Sequence, residues 1–351
     1  MRDRFQGKGG QYGGLLACLV LLWALAGVLA SAGSLAAEVD SFTHRHPLQD
    51  SAPALNAIVN RWLKLAVREA NRPPFLLTGE EGAPLVTGCD AKRLDEALVR
   101  RFVGFIAGPL ETRVNEDPAF DVIRVPFEAS IYRDFQFTES PVISLTRRMA
   151  VLVRVGDVYL GSDKFGHFFT EGHTYYELYA SAGRKSALHF GEITESTFYG
   201  ELTTGVFSFA DLAANLNGLR FWNEILGTLP DPLDGTPVRH PYVQCVLGRW
   251  RLVRRFDWRD YVDPAWDEAL NCSDFRTPDL LEKVRRRIAE ATGGRQCPLH
   301  PVDRKRLARK YGRLLPLVFN PRGNQVLESR LRPKLEQLLA SVFGKFLPGT
   351  D

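Results

Sequence analysis

Three stretches of this chain set acids, a base and an amide at helical spacing. The first runs Gly161-Ser-Asp-Lys-Phe-Gly-His-Phe-Phe-Thr-Glu-Gly-His173, with Ser162 placed to cap a helix that begins at Asp163. At about 100° per residue, Asp163, Lys164, His167 and Glu171 share one arc, while Phe165, Phe168, Phe169, Gly172, Tyr176 and Tyr179 share another. The polar arc is either a solvated stripe with i,i+4 contacts or the lining of a cleft. The second stretch, Gly191-Glu-Ile-Thr-Glu195, lies in a helix expected from about Lys185 to Leu202. There Glu195 turns the same way as Leu188, Phe198, Tyr199 and Leu202, with His189, Glu192 and Ser196 as a neighbouring stripe. A carboxylate on an apolar face is costly unless paired, hydrogen-bonded or protonated, so Glu195 calls for a partner or a raised pKa.

The third stretch is Ser208-Phe-Ala-Asp-Leu-Ala-Ala-Asn-Leu-Asn-Gly218. Ser208 with Asp211 resembles a capping box, and Gly227 suits the stop of that helix. Its expected solvent face is Ala213, Asn217, Arg220 and Glu224, which leaves Asp211 and Asn215 beside Ala214, Gly218, Trp222 and Leu226. Capping explains an acid at Asp211 but not the amide of Asn215, one turn further in. Glu195, Asp211 and Asn215 are therefore expected to be buried, with Asp163, Lys164 and His167 within a side-chain length of them.

Two kinds of function are compatible with such a cluster. In an envelope hydrolase or transferase, His167 acts as acid or base, oriented by Asp163, Glu195 or Asp211. In a structural or binding protein, the same groups, with Lys164, Glu171, Glu192 and Asn215, form a buried network that fixes helix register while the protein holds an envelope lipid or an envelope protein. The sequence leans to the second, because no recognised nucleophile accompanies the acids and the histidine. A divalent metal held by His167, Glu195 (or Glu192) and Asp211 from three helices is a further option. His167 and His173 lie about 120° apart around a helix axis and cannot share an ion without a break at Gly172. The chain has no GxSxG, HExxH, Walker A, GxGxxG or C-x-x-C motif, so serine-hydrolase, zincin, nucleotide and thiol-redox signatures are absent.

The elements that must position these groups read as mainly α: a helical core of at least three packed helices over about 163–226, irregular or short-strand segments before it, and a helical region after it. Helices are expected at 53–71 and 91–103, irregular wrapping or strands at 111–144, a linker at 227–241, and further helices at 280–291, 301–315 and 326–347. This divides the chain into 37–150, 151–229 and 230–351. Arg2, Arg4 and Lys8, the apolar run Leu15–Ala30 and the small residues after it have the order of a secretory signal cleaved after Ala36. The alternative is an uncleaved inner-membrane anchor, but sixteen apolar residues reach only about 24 Å of a ~30 Å hydrocarbon core. Export to the periplasm leaves Cys89, Cys245, Cys272 and Cys297, an even number that permits two disulfides in three pairings. The composition is 45% hydrophobic and 25% charged, which argues against disorder and a multi-span membrane protein. A net charge of +4, or +2 without residues 1–36, offers no footprint for nucleic acid, and no nucleotide motif is present.

Asp163-Lys-Phe-Gly-His-Phe168, then Gly191-Glu-Ile-Thr-Glu195, then Ser208 to Gly218 resembles the pattern of the VanZ-like family and the related YfiM-like envelope proteins over about residues 160–226. The chain differs from VanZ-like membrane proteins in lacking their long apolar spans, so the resemblance implies a soluble, secreted branch. It implies an envelope context and a shared polar cluster, not a reaction.

Overall fold

Asparagines on the first long helix act as a template for distant chain. In the computed structural model, which describes residues 38–72, 88–104, 107–195 and 204–327 but not the side chains of 190–195, α1 (Ala52–Ala70) buries Leu55, Val59, Leu63 and Ala66. On its flank Asn60 both accepts from the Phe256 N–H (2.9 Å) and donates to the Phe256 carbonyl (2.8 Å). Asn71 does the same for Trp250, and Asn56 accepts from the Trp258 N–H. These amide pairs give the 250–258 backbone the partners that a strand would supply. α2 (Ala91–Phe102) is capped by Asp90 and packs against α1.

The 111–144 stretch is largely irregular, as expected, between two helices at its ends. It opens inside α3 (Pro109–Glu116), where Glu111 reaches back to the Gly108 N–H, and it closes on α4 (Pro141–Thr146), with a 3-10 turn at Phe127–Ala129 between them. Pro109 and Pro141 start α3 and α4 at first-turn positions, where a missing N–H is harmless, while Pro118 and Pro126 lie outside helices. Strand β1 (Glu38–Val39) pairs with β2 (Met149–Ala150), and β3 (Leu152–Val155) forms a hairpin with β4 (Val158–Gly161). The hairpin delivers the chain to Ser162 and Asp163.

From there the expected single α-helix is broken by register. α5 (Asp163–Gly166) runs into a π-helical turn, His167–Glu171, before α6 (Gly172–Glu195), which itself bends at Gly183 (φ 81°) where the second expected helix begins. α7 (Phe209–Leu226) starts at Ser208, whose hydroxyl accepts from the Asp211 N–H, and ends at Gly227 with φ 65°. The chain is thus mainly α, with two-stranded ribbons between helices. β5 (Val206–Phe207), immediately before α7, pairs antiparallel with the later strand Asp274–Phe275 and ties the start of α7 to the C-terminal part of the chain.

The expected solvent face of α7 is overturned. Ala213 and Asn217 are fully buried and Glu224 is nearly so, because the later part of the chain covers them. Asn217 donates to the Tyr311 hydroxyl (2.9 Å), Tyr311 donates to Asp263 (2.7 Å), and Glu224 takes Tyr261 (2.9 Å) and Arg254 (2.7 Å). Asn217, through Nδ2, and Glu224 therefore have tertiary partners on that face, which amphipathic periodicity cannot reveal. The later helices are α8 (Pro278–Thr292), α9 (Arg304–Tyr311) and α10 (Leu315–Val318). Cys89 pairs with Cys245 and Cys272 with Cys297. The leader at 1–36 lies outside the described residues, as does the helix at 326–347 apart from Val326 and Leu327, where Val326 bridges to Phe275.

α6 and α7 meet backbone to backbone. A Cβ on Gly218 would lie 2.0 Å from the Phe168 carbonyl oxygen, and one on Gly172 would lie 2.6 Å from the Gly218 Cα. Gly218→Ala should push the two segments apart at a cost of about 1–3 kcal/mol, read as a lower urea midpoint. An unchanged midpoint would mean that this crossing tolerates a methyl group.

A candidate active site around Lys164 and His167

Lys164 has no solvent exposure, yet it carries a charge. Its ammonium lies 2.5 Å from Asp163 Oδ2, 2.5 Å from Asp211 Oδ1 and 2.7 Å from Glu268 Oε1. Burial works against the ammonium, but Asp163, Asp211 and Glu268 together hold its pKa well above the ordinary lysine value. Asp211 sits between this ammonium and the imidazole of His167, whose Nε2 is 3.2 Å from Asp211 Oδ2. Burial raises the Asp211 pKa, and the charges of His167 and Lys164 with their hydrogen bonds outweigh it, leaving the carboxyl well below its usual range.

His167 is aimed by its other nitrogen. Asn215 donates through Nδ2 to the Tyr175 hydroxyl (3.2 Å), which turns its Oδ1 toward His167 Nδ1 at 3.1 Å. Oδ1 can only accept, so Nδ1 carries a proton and Nε2 is the nitrogen that exchanges one beside Asp211. The π turn contributes to this aim. The Phe169 carbonyl within it accepts from the Trp222 indole on α7 (2.9 Å) as well as from the Gly172 N–H, and so ties the turn to the helix that carries Asp211 and Asn215.

Asp163, Lys164, His167, Asp211 and Asn215 thus come together as the sequence suggested, from α5, the π turn and α7. The polar arc of the first helix is not a solvated stripe: Asp163 is 4% exposed and Lys164 0%. Glu171 is half-buried, with Oε2 shut off from solvent and without a hydrogen-bond partner. Burial raises its pKa, against the lowering charge of His167. The side chains of Glu192 and Glu195 lie outside the described residues. His173 falls elsewhere, 3.4 Å from Asp95 and edge-on to Trp222.

Three carboxyls were not anticipated. Glu268 comes from an irregular segment after a 3-10 turn, where no periodicity marks it, and accepts from Ser208 Oγ (3.1 Å) as well as from Lys164. Burial, against the pull of Lys164 and with the charges of Asp211 and Asp163, raises its pKa to about 7. Glu38 is buried on β1 with a pKa raised by burial and then by Glu268 and Asp211. Glu111, buried on α3, is raised by burial and then by Asp163. The last had a legible signal, since a glutamate two residues after a helix-starting proline is a capping acid.

Because Glu268 binds its proton more tightly when folded, its contribution to stability is complete below its ordinary pKa of 4.5 and is lost as pH rises through about 7. Glu268→Gln should therefore flatten the fall in melting temperature between about pH 5 and 8. An unchanged slope would place the linked proton on another group.

The arrangement can hold and move a proton. His167 is the most open member, with 16% of its side chain exposed against 8% for Asp211, 5% for Asp163 and 2% for Glu268. One oxygen each of Asp163 and Asp211 and one ring nitrogen of His167 also lie within 4.8 Å of one another, so among the described residues Asp163 joins the His167 and Asp211 that the sequence suggested as metal ligands. No helix among the described residues is long and apolar enough to cross a membrane, and two disulfides fit an oxidising compartment. Compared with family models, curated proteins and solved structures, the chain matches none of them.

Proposed function

We propose that this protein is an exported envelope hydrolase or transferase whose acid–base residue is His167. One observation carries this reading over a register-fixing network. A structural network should be sealed and satisfied, whereas here Asp163 Oδ1 and Glu171 Oε2 are buried without hydrogen-bond partners, and the imidazole at the centre meets solvent. Asn215 fixes the tautomer and Asp211 steadies the imidazolium, the two supports that a general acid–base histidine needs. Lys164 holds Asp163, Asp211 and Glu268 in place. The signal-like leader, the paired cysteines and the likeness of residues 160–226 to VanZ-like and YfiM-like proteins support a periplasmic setting with an envelope substrate.

The test is Asp211→Asn in a strain deleted for the gene, with folded yield measured beside complementation. The substitution keeps the shape and removes the charge that steadies His167, so function should fall at least ~10²-fold, the usual contribution of acid–base catalysis. Full function in a folded Asp211→Asn protein would overturn the proposal.

A further inference from the structure

Resting on the reading of this cluster as an active site, we infer that Asp163, His167 and Asp211 bind a divalent first-row metal ion of the Zn²⁺ or Mn²⁺ class, with His167 Nε2 serving as a ligand when the ion is present and as the acid–base nitrogen when it is not. The three ligand atoms already lie within 4.8 Å of one another. Bonds of about 2.0–2.2 Å to a common ion set ligands roughly 3–4 Å apart, so small side-chain shifts complete the set. The His167 Nε2 to Asp211 Oδ2 separation of 3.2 Å is already that of two ligands on one ion.

Three further features are those of a metal ligand set. His167 has its Nδ1 held by Asn215 Oδ1, the outer hydrogen bond that leaves Nε2 with a lone pair for a metal. Asp163 is 96% buried by its 4% exposure; its Oδ2 is taken by Lys164, while its Oδ1 is shut away from solvent without a hydrogen-bond donor. Asp163 and Asp211 share the single Lys164 ammonium in a dry setting, each through one oxygen. The ammonium does not take the ion's place. It contacts Asp163 Oδ2 and Asp211 Oδ1, while His167 Nε2 meets the other Asp211 oxygen.

The donor set selects the ion. One imidazole and two carboxylates suit Zn²⁺ or Mn²⁺; an all-oxygen set would suit Ca²⁺ or Mg²⁺, and thiolates are needed for softer ions. Three protein ligands, the number found among the described residues, make the pattern of catalytic ions and not of structural ones.

The purified protein, treated with EDTA and dialysed, is titrated with ZnCl₂ and separately with MnCl₂ by calorimetry, and bound metal is counted by elemental analysis. One equivalent should bind. His167→Ala and Asp211→Asn should each weaken binding by ~100-fold or more, and Asn215→Ala by about 10–100-fold. If the two ligand variants fail to fold, wild type and Asn215→Ala still decide. No uptake of either ion at about 1 mM, or uptake indifferent to Asn215→Ala and to any folded ligand variant, overturns the inference. A protein that binds no metal but loses function in His167→Ala sinks this inference alone. One that binds metal through these residues and keeps function in His167→Ala sinks only the acid–base reading.

Discussion

Lys164→Met should be among the most destabilising single substitutions in this protein, costing about 3–5 kcal/mol, because it strips the cation from Asp163, Asp211 and Glu268 while leaving all three buried. For a chain of this size that corresponds to a fall in melting temperature on the order of 10 °C. The sign with pH is set by the groups left behind. The raised lysine pKa means that its contribution is complete at neutral pH and is lost only in strong alkali. In the variant the orphaned carboxylates are relieved by protonation, so the deficit against wild type should shrink as the pH falls. Melts in chelator-treated buffer check both points. A Lys164→Met protein as stable as wild type at pH 8 would show that the three acids are neutralised by another group.

Function and stability should part within this one cluster. His167 is its most open member, and its neighbours keep other partners without it: Asp211 retains Lys164, and Asn215 retains Tyr175. His167→Ala should therefore cost no more than about 1 kcal/mol. Active-site groups are often held at some expense to the fold, so a melting temperature slightly above wild type is compatible with the account. The loss of function should be at least ~10²-fold, the scale of acid–base catalysis.

The legible part of the site was its anomalies. Asp211 and Asn215 stood out as polar groups on the apolar side of a helix, and the structure buries both, at 5% and 2% exposure. Asp163, Lys164 and His167 stood out as one arc, and they do converge on Asp211. Helical periodicity failed in two places for physical reasons. It reads one helix against one apolar side, so it assigned Asn217 and Glu224 to solvent, although Tyr311, Tyr261 and Arg254 supply partners from far along the chain. It also assumes constant register, which the π turn at His167–Glu171 breaks. Glu268 was invisible because it lies outside any regular element and meets Lys164 only through tertiary packing, 104 residues away. The paired cysteines were countable in the sequence, but their partners were not, since spacing alone cannot choose among three pairings.

The most direct measurement is complementation by His167→Ala beside its melting temperature. Loss of function in a protein that melts within a few degrees of wild type is the predicted result. Function that persists, or that falls only in step with the amount of folded protein, would contradict the assignment of His167 as the acid–base residue and return the cluster to a purely structural role.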